Sequence, residues 1–138
     1  NNNFIIFFKG VYMSFKKMMS LVAIVPLIFL IAFIAVPEFF ILGSYPLAKG
    51  LALEIGITHR YLMSGMLFIV VCFAFQSRNI ENVDDQKKIL YGAVVGFSMM
   101  CAIIVTMPVL RGIPLSIPPM IATGAIAALS FWTRSKLS

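Results

Sequence analysis

Four apolar stretches free of Asp, Glu, Lys and Arg occupy most of the chain, with short polar segments between them. A helix needs about 20 mostly apolar residues to cross the hydrocarbon core of a bilayer, and each stretch approaches that length. Only helices and closed barrels pair every backbone polar group in lipid. The pattern predicts an all-α membrane protein whose four transmembrane helices form an antiparallel bundle. The predicted helices cover residues 18–37, 61–77, 89–110 and 112–133.

These helices form a single predicted transmembrane domain over residues 18–133. Residues 1–17 are predicted to be an N-terminal cytoplasmic or interfacial segment, and residues 134–138 a cytoplasmic tail. Met13 begins a segment typical of a protein start, so residues 1–12 are either an upstream extension or native chain in the membrane interface. The link between the second and third helices is short and polar, which predicts that these two helices pack as antiparallel neighbours.

The longest connection, between Glu38 and Arg60, is rich in apolar residues and should lie on the bilayer. Ser44 and Pro46 are typical of a helix start. These features predict a short interfacial helix between the first and second transmembrane helices. Its apolar face would be formed at i, i+4, i+8 spacing by Leu47, Leu51 and Ile55.

Composition and charge narrow the class of protein. The 138 residues are 61% hydrophobic and 12% charged, whereas about a quarter of the residues in a soluble domain are charged. The net charge of +6 forms no basic stripe, which argues against nucleic acid as a partner. Most of the cations flank one side of the predicted bundle, so the positive-inside rule predicts cytoplasmic termini in a bacterial inner membrane. These cations are Lys9, Lys16, Lys17, Arg78, Lys87, Lys88, Arg134 and Lys136.

Polar residues on the opposite side of the predicted bundle are the candidates for a site. A carboxylate, an imidazole and a guanidinium beside a half-buried surface can bind a phosphate headgroup or transfer a proton. Because no spacing ties these residues into a motif, headgroup contact and surface ion pairing are the simpler interpretation. The candidate ligand or headgroup residues are Glu38, Lys49, Glu54, His59, Arg60 and Arg111.

Small residues mark two candidate packing faces. Gly92 and Gly96 have the GxxxG spacing that allows close backbone approach, either within the monomer or in a homodimer. Gly124, Ala125 and Ala128 form a second small-residue face on the fourth helix. Both faces are predicted to pack against helices.

The prolines and methionines of the predicted helices bear on whether the bundle contains a pocket. Pro26 should bend the first helix, which can open a groove, although a tolerated bend without a ligand is the simpler interpretation. Methionines fill irregular gaps, so they either line a pocket for a hydrophobic ligand or serve ordinary packing. The methionines in question are Met63, Met66, Met99, Met100, Met107 and Met120.

No catalytic, metal or cofactor motif is recognisable in the sequence. His59 is the single histidine, so a transition-metal site would have at most one good imidazole ligand. The sequence lacks the P-loop, dinucleotide-binding, nucleophile-elbow and HExxH patterns. We therefore predict no catalytic residues, no metal and no cofactor.

Residues 13–136 share an arrangement with a known group of proteins. A Lys-flanked first helix leads into Pro37, Arg60 opens the second helix, and Gly112 and Pro114 precede a fourth helix rich in small residues. This arrangement resembles a family of small, uncharacterised bacterial integral membrane proteins with four helices and a domain of unknown function. The resemblance is topological, implies no assigned activity, and does not extend to the apolar connection between the first two helices.

The leading hypothesis is a non-catalytic accessory or scaffolding subunit that packs against other membrane proteins and lipid. The expected partners are membrane lipids and other membrane-protein subunits, or further copies of the chain. The alternative is a binder or carrier of a lipid or small hydrophobic molecule, whose headgroup the polar cluster would hold. A small membrane enzyme that uses the same cluster is third.

Overall fold

A computed structural model describes residues 13–137, and within that range all regular structure is helical. Residues 1–12, predicted to be an extension or an interfacial segment, and Ser138 lie outside the described range. Five α-helices follow one another along the described chain. They are α1 (Phe15–Ala35), α2 (Pro37–Ser44), α3 (Leu51–Ser77), α4 (Val83–Arg111) and α5 (Ile117–Lys136).

Three of the five helices, α1, α3 and α4, are long and apolar enough to cross a membrane. This confirms the prediction of an all-helical chain of membrane type. The fourth predicted helix exists as α5, which is 20 residues long. Among the described helices, α5 does not meet the same measure of length and apolarity. Its crossing of the membrane therefore stays a prediction.

The predicted interfacial helix between the first two long helices is wrong in its position. The short helix is α2, which begins directly after α1 because Pro37 occupies its first turn, where a missing backbone N–H costs nothing. Gly50 precedes α3 with a φ of +54°, a conformation that favours glycine. From Leu51 onward the chain is a continuous part of α3, so Leu51 and Ile55 belong to that helix.

The long helices differ from their predicted bounds mainly at their beginnings. At 27 residues, α3 starts ten residues before the predicted 61–77 and is about 40 Å long at 1.5 Å per residue. Helix α4 starts at an Asn82 cap, whose side-chain oxygen accepts hydrogen bonds from the backbone N–H groups of Asp84 and Asp85 at 2.9 and 3.2 Å. It ends at Arg111, and the Gly112 that follows has a φ of +64°. The chain then forms no helix until Ile117.

Packing joins the helices into two pairs, α1 with α3 and α4 with α5, and α1 also contacts α5. The partners in each pair run in opposite directions. Phe33 near the end of α1 contacts Arg60 in the first half of α3. Arg134 near the end of α5 contacts Lys87 near the beginning of α4. Helices α3 and α4 are joined by residues 78–82 but do not pack along each other. The prediction that they are antiparallel packing neighbours is therefore wrong.

The buried core lies at the end of the molecule that carries Phe15 and Lys136, here called the terminal end. Side chains from α1, α3, α4 and α5 meet there. At the opposite end the two helix pairs enclose a cleft instead. The buried core residues are Phe15, Met18, Met19, Val22, Ala23, Ala74, Leu90 and Ile126.

Candidate functional site

A cleft of about 390 Å³ separates the two helix pairs, and its walls come from α1, α3, α4 and α5. Its lining is mostly aliphatic, aromatic and thioether side chains. Pro26 of α1 and Pro108 of α4 both lie in the walls, and each helix continues through its proline. Thr123 also lines the cleft, but its hydroxyl donates to the backbone oxygen of Pro119 at 2.8 Å. Its polarity is thereby satisfied on its own helix.

Arg60 is the most enclosed charged residue of the cleft. It lies in α3, is partly buried, and its guanidinium carbon is 5.1 Å from the centre of the Phe33 ring. Its Nη1 donates to the Met63 Sδ at 3.6 Å, a weak hydrogen bond. The guanidinium thus contacts an aromatic ring and a thioether, and neither carries a compensating charge.

Arg111 lines the same cleft from the last residue of α4. It is exposed, and the left-handed Gly112 that follows ends the helix there. Tyr45 and Ser116 are the other polar side chains of this region, from the segments that precede α3 and α5. Positive charge and hydroxyl groups therefore gather at one end of an otherwise apolar cleft.

Arg60 also lines two further cavities at this end. One, of about 670 Å³, lies between α2, the following loop and the start of α3, and it includes His59. The other, of about 280 Å³, lies between the two aromatic-rich helix ends and the segment before α5. Close packing of α2 on α3 depends on Gly56, because a Cβ there would lie 3.0 Å from the Ile41 side chain. Arg60 is the residue common to all three cavities.

The structure brings together only part of the predicted polar cluster. Arg60 shares the cleft with Arg111 and the neighbouring cavity with His59. Glu38, Lys49 and Glu54 are exposed and line none of these three cavities. The observed grouping therefore has guanidinium and imidazole side chains but no carboxylate.

The predicted packing residues occupy different environments. Gly92 and Gly96 are exposed on α4, and an added Cβ would meet no atom within 4 Å. Ala125 and Ala128 are exposed on α5. Gly124 faces α4, where a Cβ would lie 3.6 Å from the Cys101 Sγ. Only Gly124 therefore faces a neighbouring helix of the same chain, and packing by the others stays a prediction about lipid or other chains.

Several site residues could not be recognised from the sequence. Phe33 and Tyr45 contribute to the charged end of the cleft, yet neither stands in a motif or at a distinctive spacing. The methionine pattern was a partial signal, because some of its members face the cleft and others do not. Met63, Met100 and Met107 line the cleft, whereas Met66, Met99 and Met120 do not.

These features define a class: a helical membrane protein with an apolar cleft between two helix pairs and two arginines at one end. Within residues 13–137 no group of three or more His, Cys, Asp or Glu side chains is placed to hold a metal ion. The chain matches no protein-family model, no curated protein and no solved structure. The family resemblance noted in the sequence therefore stays a prediction.

Proposed function

We propose that the chain is an integral membrane protein that binds or carries a lipid or another small hydrophobic molecule in the cleft between its helix pairs. The observation that carries this proposal is the cleft of about 390 Å³, with apolar walls and charge confined to one end. Small-molecule sites are mostly apolar, have a few placed polar groups, and span about 300–1,000 Å³. The cleft has both properties.

The proposed topology has four crossings, with α5 as the fourth and both termini in the cytoplasm of a bacterial inner membrane. At 20 residues α5 is about 30 Å long, which equals the usual hydrocarbon thickness. Lysines and arginines concentrate at the terminal end, as the positive-inside rule requires for a cytoplasmic side. The charged end of the cleft then lies toward the outer leaflet, where a lipid can enter between the helix pairs.

Filling the cleft should block the ligand. Ala122 of α5 is partly buried and lines the cleft, so the Ala122→Phe variant places an aromatic ring in that space. The probe is hexadecanol with a mid-chain diazirine, photolysed with the protein in phosphatidylcholine vesicles. We expect labelling of the cleft residue Met63 to fall to background, while labelling of Met66, which is 69% exposed, is unchanged.

The matched control is Ala102→Phe, which adds the same ring to an exposed position of α4 outside the cleft. It should leave the Met63 to Met66 labelling ratio at the wild-type value. The proposal is overturned if wild-type labelling at Met63 does not exceed background, or if Ala122→Phe leaves it unchanged.

A second candidate function, the accessory or scaffolding subunit, is favoured by the bare surface of α4. Only Leu90 of its 29 residues is buried within the described chain. The exposed Gly92 and Gly96 lie one turn apart, the spacing at which helices of different chains approach closely. Such a surface suits a helix of another membrane subunit or a second copy of this chain.

Native mass spectrometry after mild detergent extraction tests this second candidate. We expect a complex heavier than the 15.3 kDa monomer for the wild type, and the monomer alone for the Gly92→Leu/Gly96→Leu double variant, whose side chains hold neighbouring helices apart. Gly65→Leu, at an exposed glycine of α3 with open space around it, is the control and should keep the complex. A wild-type protein found only as a monomer would exclude the subunit function.

A further inference from the structure

Positive charge at the end of the cleft has no carboxylate partner in the chain. The sequence has five acidic side chains, and all of them lie within the described residues. Within residues 13–137 the one ion pair joins Lys88 to Asp85 at 3.1 Å. Neither Arg60 nor Arg111 is therefore in an ion pair with any Asp or Glu of this protein.

The location of the carboxylates explains this lack of partners. Glu81, Asp84 and Asp85 lie at or beside the start of α4, near the terminal end of the molecule. Glu38 and Glu54 are on the same end as the arginines but are exposed and outside the cleft. Two guanidinium groups at the end of an apolar cleft therefore have their charge free for a ligand.

We propose that the ligand of the cleft is a single-chain amphiphile with a phosphate monoester headgroup, which Arg60 and Arg111 bind together. This inference rests on the proposed function and adds the chemical class of the ligand. A phosphate monoester carries about −1.5 to −2 charges at neutral pH, so two guanidinium groups match it. A carboxylate would leave one of the two positive charges unpaired.

The surroundings of Arg60 leave its donors available for the headgroup. A guanidinium has five N–H donors in a planar fork that fits phosphate oxygens in pairs. Among the described residues, the Arg60 side chain spends one donor, on the Met63 sulfur. The centre of the Phe33 ring lies 5.1 Å from the guanidinium carbon, a cation–π contact that is not a conventional hydrogen bond.

The cleft also limits the tail of the ligand. Its walls are apolar from Val25 and Phe29 on one side to Ile103 and Met107 on the other, which suits hydrocarbon. A volume of about 390 Å³ lies within the range for small-molecule sites and accommodates one hydrocarbon chain. A single hydrocarbon chain with its phosphate at the arginine end satisfies both the shape and the charge.

Binding of two amphiphiles with the same tail tests the headgroup. Tritiated hexadecyl phosphate and hexadecylphosphocholine are measured against the full chain in dodecyl maltoside micelles by scintillation proximity. We expect the monoester to bind at least about 10-fold more tightly, because the choline group neutralises the phosphate and blocks one of its faces. Arg60→Gln and Arg111→Gln should each weaken the binding of hexadecyl phosphate about 10-fold. Each should change the binding of hexadecylphosphocholine only slightly.

Arg134→Gln is the matched control, since it removes the same charge from an exposed position at the terminal end. It should leave both affinities unchanged. Arg111 is exposed, so its variant remains informative even if Arg60→Gln lowers the yield of folded protein. Inorganic phosphate should fail to compete at millimolar concentration, because the tail supplies most of the binding energy.

The outcomes distinguish failure of the phosphate inference from failure of the proposed function. Equal affinity for the two amphiphiles, or arginine variants that bind hexadecyl phosphate as the wild type does, would overturn the phosphate inference. Strong competition by inorganic phosphate would show a site for the free anion and would overturn it as well. If both amphiphiles bind and Ala122→Phe abolishes both, the proposed function stands whatever the headgroup result. If Ala122→Phe alters neither, the proposed function itself fails.

Discussion

Replacing Phe33 with alanine is expected to lower the free energy of unfolding by about 2–3 kcal/mol. In the core of a water-soluble protein this substitution lowers the stability by about 3–5 kcal/mol. In a membrane protein the packing contacts are still lost, but folding does not transfer the side chain from water, so the loss is smaller. Phe33 is 6% exposed. Its ring lies edge-on to Phe40 at 4.9 Å and tilted to Phe29 at 6.1 Å, and aromatic pairs of this kind contribute about 0.5–1.5 kcal/mol each.

The same substitution should weaken ligand binding, because Phe33 supports the guanidinium of Arg60. A cation–π contact contributes about 0.5–2 kcal/mol, and without the ring the Arg60 side chain has more conformations to lose on binding. Phe33→Leu separates the two effects. Leucine keeps much of the apolar volume and removes the aromatic face, so we expect most of the stability to return while the affinity for hexadecyl phosphate stays low.

Unfolding in detergent micelles by titration with dodecyl sulfate, followed by far-ultraviolet circular dichroism, measures the stability of these variants. Phe73→Ala is the control, since Phe73 is a 71% exposed phenylalanine of α3 that faces away from the core. It should change the free energy of unfolding by less than about 0.5 kcal/mol. Equal losses for Phe33→Ala and Phe73→Ala would show that the aromatic contacts of Phe33 do not stabilise the fold.

Helix existence could be predicted from the sequence, but the first residues of α3, α4 and α5 could not. Long uncharged stretches predict helices in lipid, and α1, α3 and α4 follow that rule. The Asn82 cap starts α4 six residues before the predicted residue 89, and α5 starts at Ile117 instead of residue 112, after a non-helical segment that contains Pro114. The start of α3 was missed because the nine residues before Arg60 contain Glu54 and His59, which resembled a surface connection.

Helix partners could not be predicted in the same way. In a soluble protein an apolar stripe identifies the buried face, but lipid-facing positions are as apolar as packed ones. On α5 the predicted face contains Ala125 and Ala128, which are exposed, whereas Ile126 and Ser130 are buried. The short link after α3 predicted packing against α4, yet each of these helices packs against a different partner.

The charged residues of the candidate site could be predicted from the sequence, but the residues that surround them could not. Arg60 and Arg111 were recognisable as cations on the side opposite most of the basic residues. Their separation from Glu38 and Glu54 depends on the direction in which each side chain leaves its helix, which sequence spacing across a loop does not determine. Phe33 joins Arg60 only through the packing of α1 on α3, a contact between residues distant in the chain.

Replacing Leu90 with alanine is expected to lower the free energy of unfolding by about 2 kcal/mol without changing ligand affinity. Leu90 is fully buried, at 0% exposure, where α4 enters the core at the terminal end. It belongs to a buried cluster whose members come from separate helices, including Met18 of α1 and Ile126 of α5, so a cavity there cannot be closed without moving a whole helix. Leu110→Ala, at a 78% exposed position of the same helix, should change stability by less than about 0.5 kcal/mol.

The contrast between Leu90→Ala and Phe33→Ala tests whether the two ends of the molecule have separate roles. Leu90 does not line the cleft, so its loss should weaken the contact between the helix pairs and leave the walls and arginines in place. Affinity for hexadecyl phosphate, measured at a temperature where the variant is folded, should then equal the wild-type value. A parallel loss of affinity in Leu90→Ala would mean that packing at the terminal end sets the width of the cleft, since Ile126 contributes to both.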